Sequence, residues 1–151
     1  MNRLLTFIFL LSPGFLFSQD PWKIEVNKID PSNYYGVTVA NGMIGIVSSP
    51  EPFKVKDVVL AGAYDLYGRG RVSNFLRSFN LLNMYLEIDG RRIAANNISN
   101  MKQTLDMHAA SFSTSFDYGD KATVTYTYDS LRPLPFTVFM NLSISAKKDI
   151  S

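Results

Sequence analysis

The sequence predicts an all-β fold, an antiparallel β-sandwich in which two sheets pack face to face, and three observations carry that expectation. Apolar residues recur with period two rather than 3.6 over several runs of the chain. Turn dipeptides of the Asn-Gly and Asp-Gly kind stand between the alternating runs. Hydrophobic residues make up 46% of 151 positions, enough to build the core of one domain, and no cysteine is present to reinforce it. That absence excludes disulfides, thiolate metal sites and a cysteine nucleophile.

In chain order, Arg3 precedes an apolar run from Leu4 to Leu11, followed by Ser12-Pro13-Gly14 and then Phe15 to Ser18. One positive charge, a short apolar stretch, helix-breaking residues and a small residue at the end form the pattern of a secretion leader. The run is shorter than the roughly 20 residues that a spanning helix needs. Residues 1–18 are therefore expected to be removed between Ser18 and Gln19, leaving residues 19–151 as the domain. The mature protein is expected to be secreted or periplasmic and free of the membrane. Losing Arg3 takes the formal charge from +2 to +1, and without a basic run the sequence points to no nucleic-acid partner.

The elements follow. Asn41-Gly42 separates Val37 to Ala40 from Met43 to Val47, and Asp89-Gly90 separates Met84 to Ile88 from Arg91 to Ile93. Both dipeptides suit a type I′ turn, which needs positive φ at its two central residues. Between them, Ser73 to Leu82 has Phe75, Leu76, Phe79 and Leu82 at helical spacing, but Gly68 and Gly70 just upstream make a loop an equal reading. Phe112, Thr114 and Phe116 alternate with serines, and Ala122, Val124, Tyr126 and Tyr128 alternate with threonines. Tyr118-Gly119-Asp120 joins these two strands as a third hairpin. Arg132-Pro133-Leu134-Pro135 is a stiff connection to a last strand in which Val138, Met140, Leu142 and Ile144 form the apolar side. Each strand is expected to bury one face.

Side chains able to do chemistry are few. Glu87 and Asp89 lie two apart and would share a strand face, but a solvated face running into an Asp-Gly turn explains them better than an acid–base pair. His108 is the single histidine and has no neighbouring ligand at metal spacing, so neither metal nor cofactor is expected. Gly68-Arg69-Gly70-Arg71 offers backbone N–H groups and two guanidiniums without matching a phosphate loop. Trp22, Tyr34, Tyr35, Tyr64, Tyr67 and Tyr118 could stack on sugar rings, although tyrosines in alternating strands more often serve the core.

Four segments, taken together, resemble the N-terminal β-sandwich domain of glycoside hydrolase family 65. They are Ala40-Asn41-Gly42-Met43-Ile44-Gly45, Leu60-Ala61-Gly62-Ala63-Tyr64-Asp65, the stretch from Leu81-Leu82-Asn83 to Ile88-Asp89-Gly90, and Gln103-Thr104-Leu105-Asp106-Met107. Each is similar to a family segment, and the order agrees across nearly all of the exported part. Met43 stands where an aromatic is commoner, and His108 where arginine often follows Leu-Asp-Met. The resemblance implies a supersandwich-like fold, incomplete at its C-terminus, from an enzyme that cleaves α-linked glucose disaccharides such as kojibiose, trehalose or maltose. In that family a glutamate on a C-terminal helical barrel is the general acid, and phosphate or water attacks with inversion. No residue here matches that glutamate, so catalytic residues are expected to be absent and the chain inactive alone. Export favours hydrolysis over phosphorolysis. The implied partners are α-linked glucosides and the helical catalytic domain, and a homodimer is compatible with the reading. Tyr64, Asp65, Arg69 and Arg71 combine a ring, a carboxylate and two guanidiniums and are the candidate contacts to substrate or catalytic domain. A free-standing carbohydrate-binding or structural β-sandwich module is the alternative, and exposed aromatics on one sheet face would favour sugar binding.

Overall fold

A computed structural model describes residues 20–65, 74–77 and 80–151, without the side chains of residues 63–65 and 74–77. Among them every regular element is a strand apart from two short 3-10 turns, Pro31–Asn33 and Ala95–Asn97. The strands are β1 (Lys23–Val26), β2 (Thr38–Ala40), β3 (Ile44–Ser48), β4 (Val55–Asp65), β5 (Asn74–Arg77), β6 (Glu87–Ile88), β7 (Arg91–Arg92), β8 (Ser99–Asp106), β9 (Ser111–Tyr118), β10 (Ala122–Asp129) and β11 (Phe139–Ala146). They form a five-stranded sheet in the order β1-β8-β9-β10-β11, a four-stranded sheet in the order β2-β3-β4-β5, and the small hairpin β6-β7. All pairings are antiparallel. The two larger sheets face each other across one core, as the alternating sequence predicts.

The three predicted hairpins are present, with one change of turn. Ile88 pairs with Arg91, so Asp89 and Gly90 are the central residues, at φ 52° and 68°. At the first hairpin Asn41 N–H bonds to Ile44 O, which moves the turn one place on. Gly42 (φ 91°) and Met43 are central there, and only the glycine has positive φ, as in a type II′ turn. The side chain of Asn41 explains the shift. Its Oδ1 accepts from Met43 N–H and Ile44 N–H, both at 3.0 Å, while its Nδ2 donates to Leu131 O and Leu134 O. Asn41 therefore stands beside the turn and ties it to the connection before β11.

Over the described part of Ser73 to Leu82 there is no helix, and the loop reading holds for residues 80–82 alone. Asn74–Arg77 is strand, paired with β4 through Tyr64↔Phe75 and Asp65↔Asn74. A short apolar run has no period of its own to defend, and the free edge of β4 decides it. The leader, residues 1–18, lies outside the described residues.

β9 and β10 build the core. Phe112, Thr114, Phe116 and Tyr118 on one strand, and Ala122, Val124, Tyr126 and Tyr128 on the other, are all buried, while their alternates face outward. Val39, Ile46, Val55 and Val58 oppose them from the second sheet. Phe53 is the central wedge. It stacks on Tyr126 at 4.6 Å and meets Phe116 edge-on at 6.1 Å. Its backbone N–H donates to the Tyr126 hydroxyl, and its carbonyl accepts from Met84 N–H. The bond from Lys54 N–H to Glu51 O makes Glu51 to Lys54 a turn with Pro52 and Phe53 at its centre. Phe53 has φ 58° there, in the place of a type II turn that normally takes glycine.

Several polar groups that enter the core are matched, whereas the Tyr128 and Ser130 hydroxyls are buried without a hydrogen-bond partner. The Tyr34 hydroxyl donates to Gln103 Oε1 at 2.7 Å and lies 2.6 Å from Ser48 Oγ, while Gln103 Nε2 donates to Ser49 O. This network pins β3 to β8 across the two sheets. Asn80 Nδ2 donates to Val55 O and Asn83 Oδ1 accepts from Val55 N–H, so two side chains supply a strand's hydrogen bonds at the start of β4.

Candidate functional site

β4 is the longest strand, with eleven residues, and it outruns β3, whose pairing with it ends at Ile44↔Leu60. Its last residues, Tyr64 and Asp65, thus stand beyond the Asn41–Ile44 turn, which Ala61 N–H holds through Met43 O at 2.8 Å. Of the four candidate residues, the backbones of Tyr64 and Asp65 are placed at this end of the sandwich and their side chains lie outside the described residues. Arg69 and Arg71 also lie outside them, as does Tyr67.

Several exposed apolar side chains lie around that end. The bonds from Asn41 to Leu131 and Leu134 bring the β10–β11 connection beside it, with Leu131, Leu134 and Phe136 exposed. The β8–β9 turn, Met107 to Ala110, lies at the same end of the five-stranded sheet because Asp106 pairs with Ser111 and Asp129 pairs with Ser111 from the other side. Trp22 is bonded there through its carbonyl to Met107 N–H and stands edge-on to His108 at 6.4 Å. Exposed Trp22, Met43, Met107, Leu134 and Phe136 therefore collect at one end, along with the end of β4.

The two carboxylates weighed from the sequence do not share a face. Glu87 is exposed on β6, while Asp89 sits in the turn and is engaged by Lys121 Nζ, by Ser151 N–H and through its own N–H by Ser151 O. The Lys121 bond foremost, then that from Ser151, holds the Asp89 carboxyl below its ordinary range. Asp117 is lowered by bonds from Asn100, Thr123 and Lys147, Asp120 by Lys148, and Asp106 chiefly by Ala109 N–H. A general acid needs the opposite shift. Among the described residues, no three His, Asp or Glu side chains are grouped to hold a metal ion.

The outer face of the five-stranded sheet is largely polar, with exposed Phe139 opposite Asp129 near its end. Ser115, Thr125 and Ser143 stand side by side across β9, β10 and β11, next to the row Ser113, Thr127 and Asn141. The rings of β9 and β10 all point inward. Sequence reasoning did not single out Phe53, the Tyr34–Ser48–Gln103 network or the double bond of Asn41 to the β10–β11 connection. Only the last had a signal, since an Asn-Gly turn supplies a side chain able to bond beyond itself.

Fold and site thus define a β-sandwich module with exposed apolar side chains at the end where β4 finishes. No family model matches the chain. It is 69% identical over 134 residues to a protein named kojibiose hydrolase from Mucilaginibacter mallensis, a match that covers 89% of this chain and 20% of that protein. It is 54% identical over 148 residues to a kojibiose hydrolase of Flavobacterium johnsoniae, covering 98% of this chain and 22% of the relative. The chain is therefore related to these proteins, and it spans about a fifth of their length.

Proposed function

We propose that the chain is the non-catalytic N-terminal module of an exported family 65 glycoside hydrolase that hydrolyses kojibiose or a similar α-linked glucose disaccharide. The carrying observation is the identity of 69% and 54% to two proteins named kojibiose hydrolase, each over about a fifth of the relative. The family segments support the reading by where they fall. Asn41-Gly42 and Asp89-Gly90 sit in or beside hairpin turns, and Leu60 to Asp65 forms the overrunning end of β4. The work of the module is to brace the catalytic domain and to present the end near Tyr64 to it. The leader-like segment supports export, which predicts a secreted product whose mass begins at or near Gln19.

The test is to place this chain in the Flavobacterium johnsoniae protein instead of its matched segment. The hybrid is expected to release glucose from kojibiose, and the 151-residue chain alone is expected to release none. Turnover by the purified chain that is abolished in Glu87→Gln or Asp89→Asn would overturn the non-catalytic assignment. A folded hybrid without activity on any α-linked glucose disaccharide would overturn the family reading.

A further inference from the structure

β11 has the alternation of a half-buried strand but lacks the cover. Directly opposite residues in an antiparallel pair point to the same face, so Met140, Leu142 and Ile144 lie on the side of Tyr128, Tyr126 and Val124. Val124 and Tyr126 are at most 1% exposed, whereas Leu142 is 47% and Ile144 38% exposed. The cover therefore stops within one strand spacing, about 4.8 Å. The open strip leads into a groove of about 300 Å³ lined by Ile44, Leu60, Leu81, Leu82, Phe136 and Val138.

Its edge is equally unguarded. β11 is the last strand of its sheet, and its eight residues pair with β10 without a register shift. Phe139 to Ala146 contains no charge and no proline. Edge strands that remain free normally carry a lysine, a proline or a bulge to prevent pairing with other chains. An uncharged, regular edge next to an open apolar face has the character of an inner strand.

We infer that β11 is an inner strand in the working protein, covered by further polypeptide of the same molecule. One added strand would pair with its free edge, and another element would lie over Leu142 and Ile144 in the layer of the four-stranded sheet. Two observations select this occupant. The relatives carry the matched segment joined to about four-fifths more polypeptide. A second copy pairing edge to edge through β11 would satisfy the backbone and leave the apolar face open. The inference rests on the reading of the chain as one module of a longer hydrolase, and it names the partner of this surface.

Hydrogen exchange on the Flavobacterium johnsoniae hybrid tests it. The amides of β11 that point away from β10 are expected to exchange at least about a hundredfold more slowly in the hybrid than in the chain alone. Leu142→Ser is expected to leave the urea midpoint of the chain nearly unchanged while lowering the melting temperature of the hybrid by about 5 °C or more. Free exchange along that edge in the hybrid would overturn the inference. So would a dimer of the isolated chain in which β11 is already protected. Should the isolated chain not fold, the hybrid's exchange pattern and the Leu142→Ser shift decide alone. Kojibiose turnover is read separately: activity with an unprotected β11 sinks this inference, and protection without activity sinks the functional reading.

Discussion

Phe53 concentrates a conflict at one residue between backbone preference and burial. Its φ of 58° is a region where a residue with a Cβ costs about 1–2 kcal/mol relative to the ordinary helical or extended basins. The stacking on Tyr126, the edge contact with Phe116 and nearly complete burial offset that cost. Truncation separates the two terms. Phe53→Ala should lower the unfolding free energy by about 3–5 kcal/mol, the usual loss for a buried phenylalanine. Phe53→Gly should be no worse than Phe53→Ala, because glycine takes this φ freely and the relief cancels its greater unfolded entropy of about 0.4–1 kcal/mol. Urea titration of both variants checks the order, and a clear advantage for alanine would mean that the turn is unstrained. Nothing local in Glu51-Pro52-Phe53-Lys54 announces this arrangement. Proline signals a turn, but only the ring of Tyr126, far along the chain, makes phenylalanine acceptable where glycine is expected.

Among the elements, legibility followed how local the cause was. The Asp89-Gly90 hairpin and the strands β9 and β10 were readable because a dipeptide or an alternation sets them almost alone. The Asn41 turn moved by one residue because a side chain answers carbonyls in Leu131 and Leu134, which no local pattern encodes. β5 and the open face of β11 depend on which neighbour is present, so the sequence left helix and loop level at the first without finding the strand, and alternation misled at the second. Charge ties the elements at the opposite end of the five-stranded sheet. Lys147 and Lys148, just past β11, reach Asp117 and Asp120 around the β9–β10 turn, and Lys121 reaches Asp89 of the β6–β7 turn. All three carboxyls are held below their ordinary value by these partners and, first for Asp117, by Asn100. A lowered folded pKa means that the unfolded chain takes up protons first as the medium acidifies. Their contribution is therefore complete above the unfolded carboxylate value near 3.9 and is lost as pH falls from there through the folded values. Melting temperature should hold steady down to about pH 5 and decline below about pH 4. Asp117→Asn should lower it at pH 6 and make the acid decline shallower. An unchanged acid limb in that variant would show that Asp117 takes no part in the linkage.

At the scale of the whole molecule, the arrangement of ends matters more than any single pocket. One end of the sandwich carries the pairs Lys121–Asp89, Lys147–Asp117 and Lys148–Asp120. The other end gathers exposed Trp22, Met43, Met107, Leu134 and Phe136 beside the place where β4 finishes, together with the Lys23–Asp106 pair. The sequence offered the candidate site as a composition, a ring, a carboxylate and two arginines, of which the structure describes only the backbones of Tyr64 and Asp65. The place of those two backbones at that end was not legible, because it depends on β4 outrunning β3. If Asp65 and Arg69 contact the catalytic domain or its substrate, their loss should act on turnover and leave the fold alone. In the Flavobacterium johnsoniae hybrid, Asp65→Ala and Arg69→Ala should each lower kcat/KM on kojibiose by about tenfold or more, the loss of about one charged hydrogen bond. Melting temperature should stay within a degree or two, as for a substitution outside the core. Asp65 faces the stricter trial because its backbone pairs with Asn74, so a carboxylate that merely braces the end of β4 would lower activity and melting temperature together. That parallel loss would return Asp65 to the fold, and an unaltered kcat/KM in both variants would remove this end from the catalytic reaction altogether.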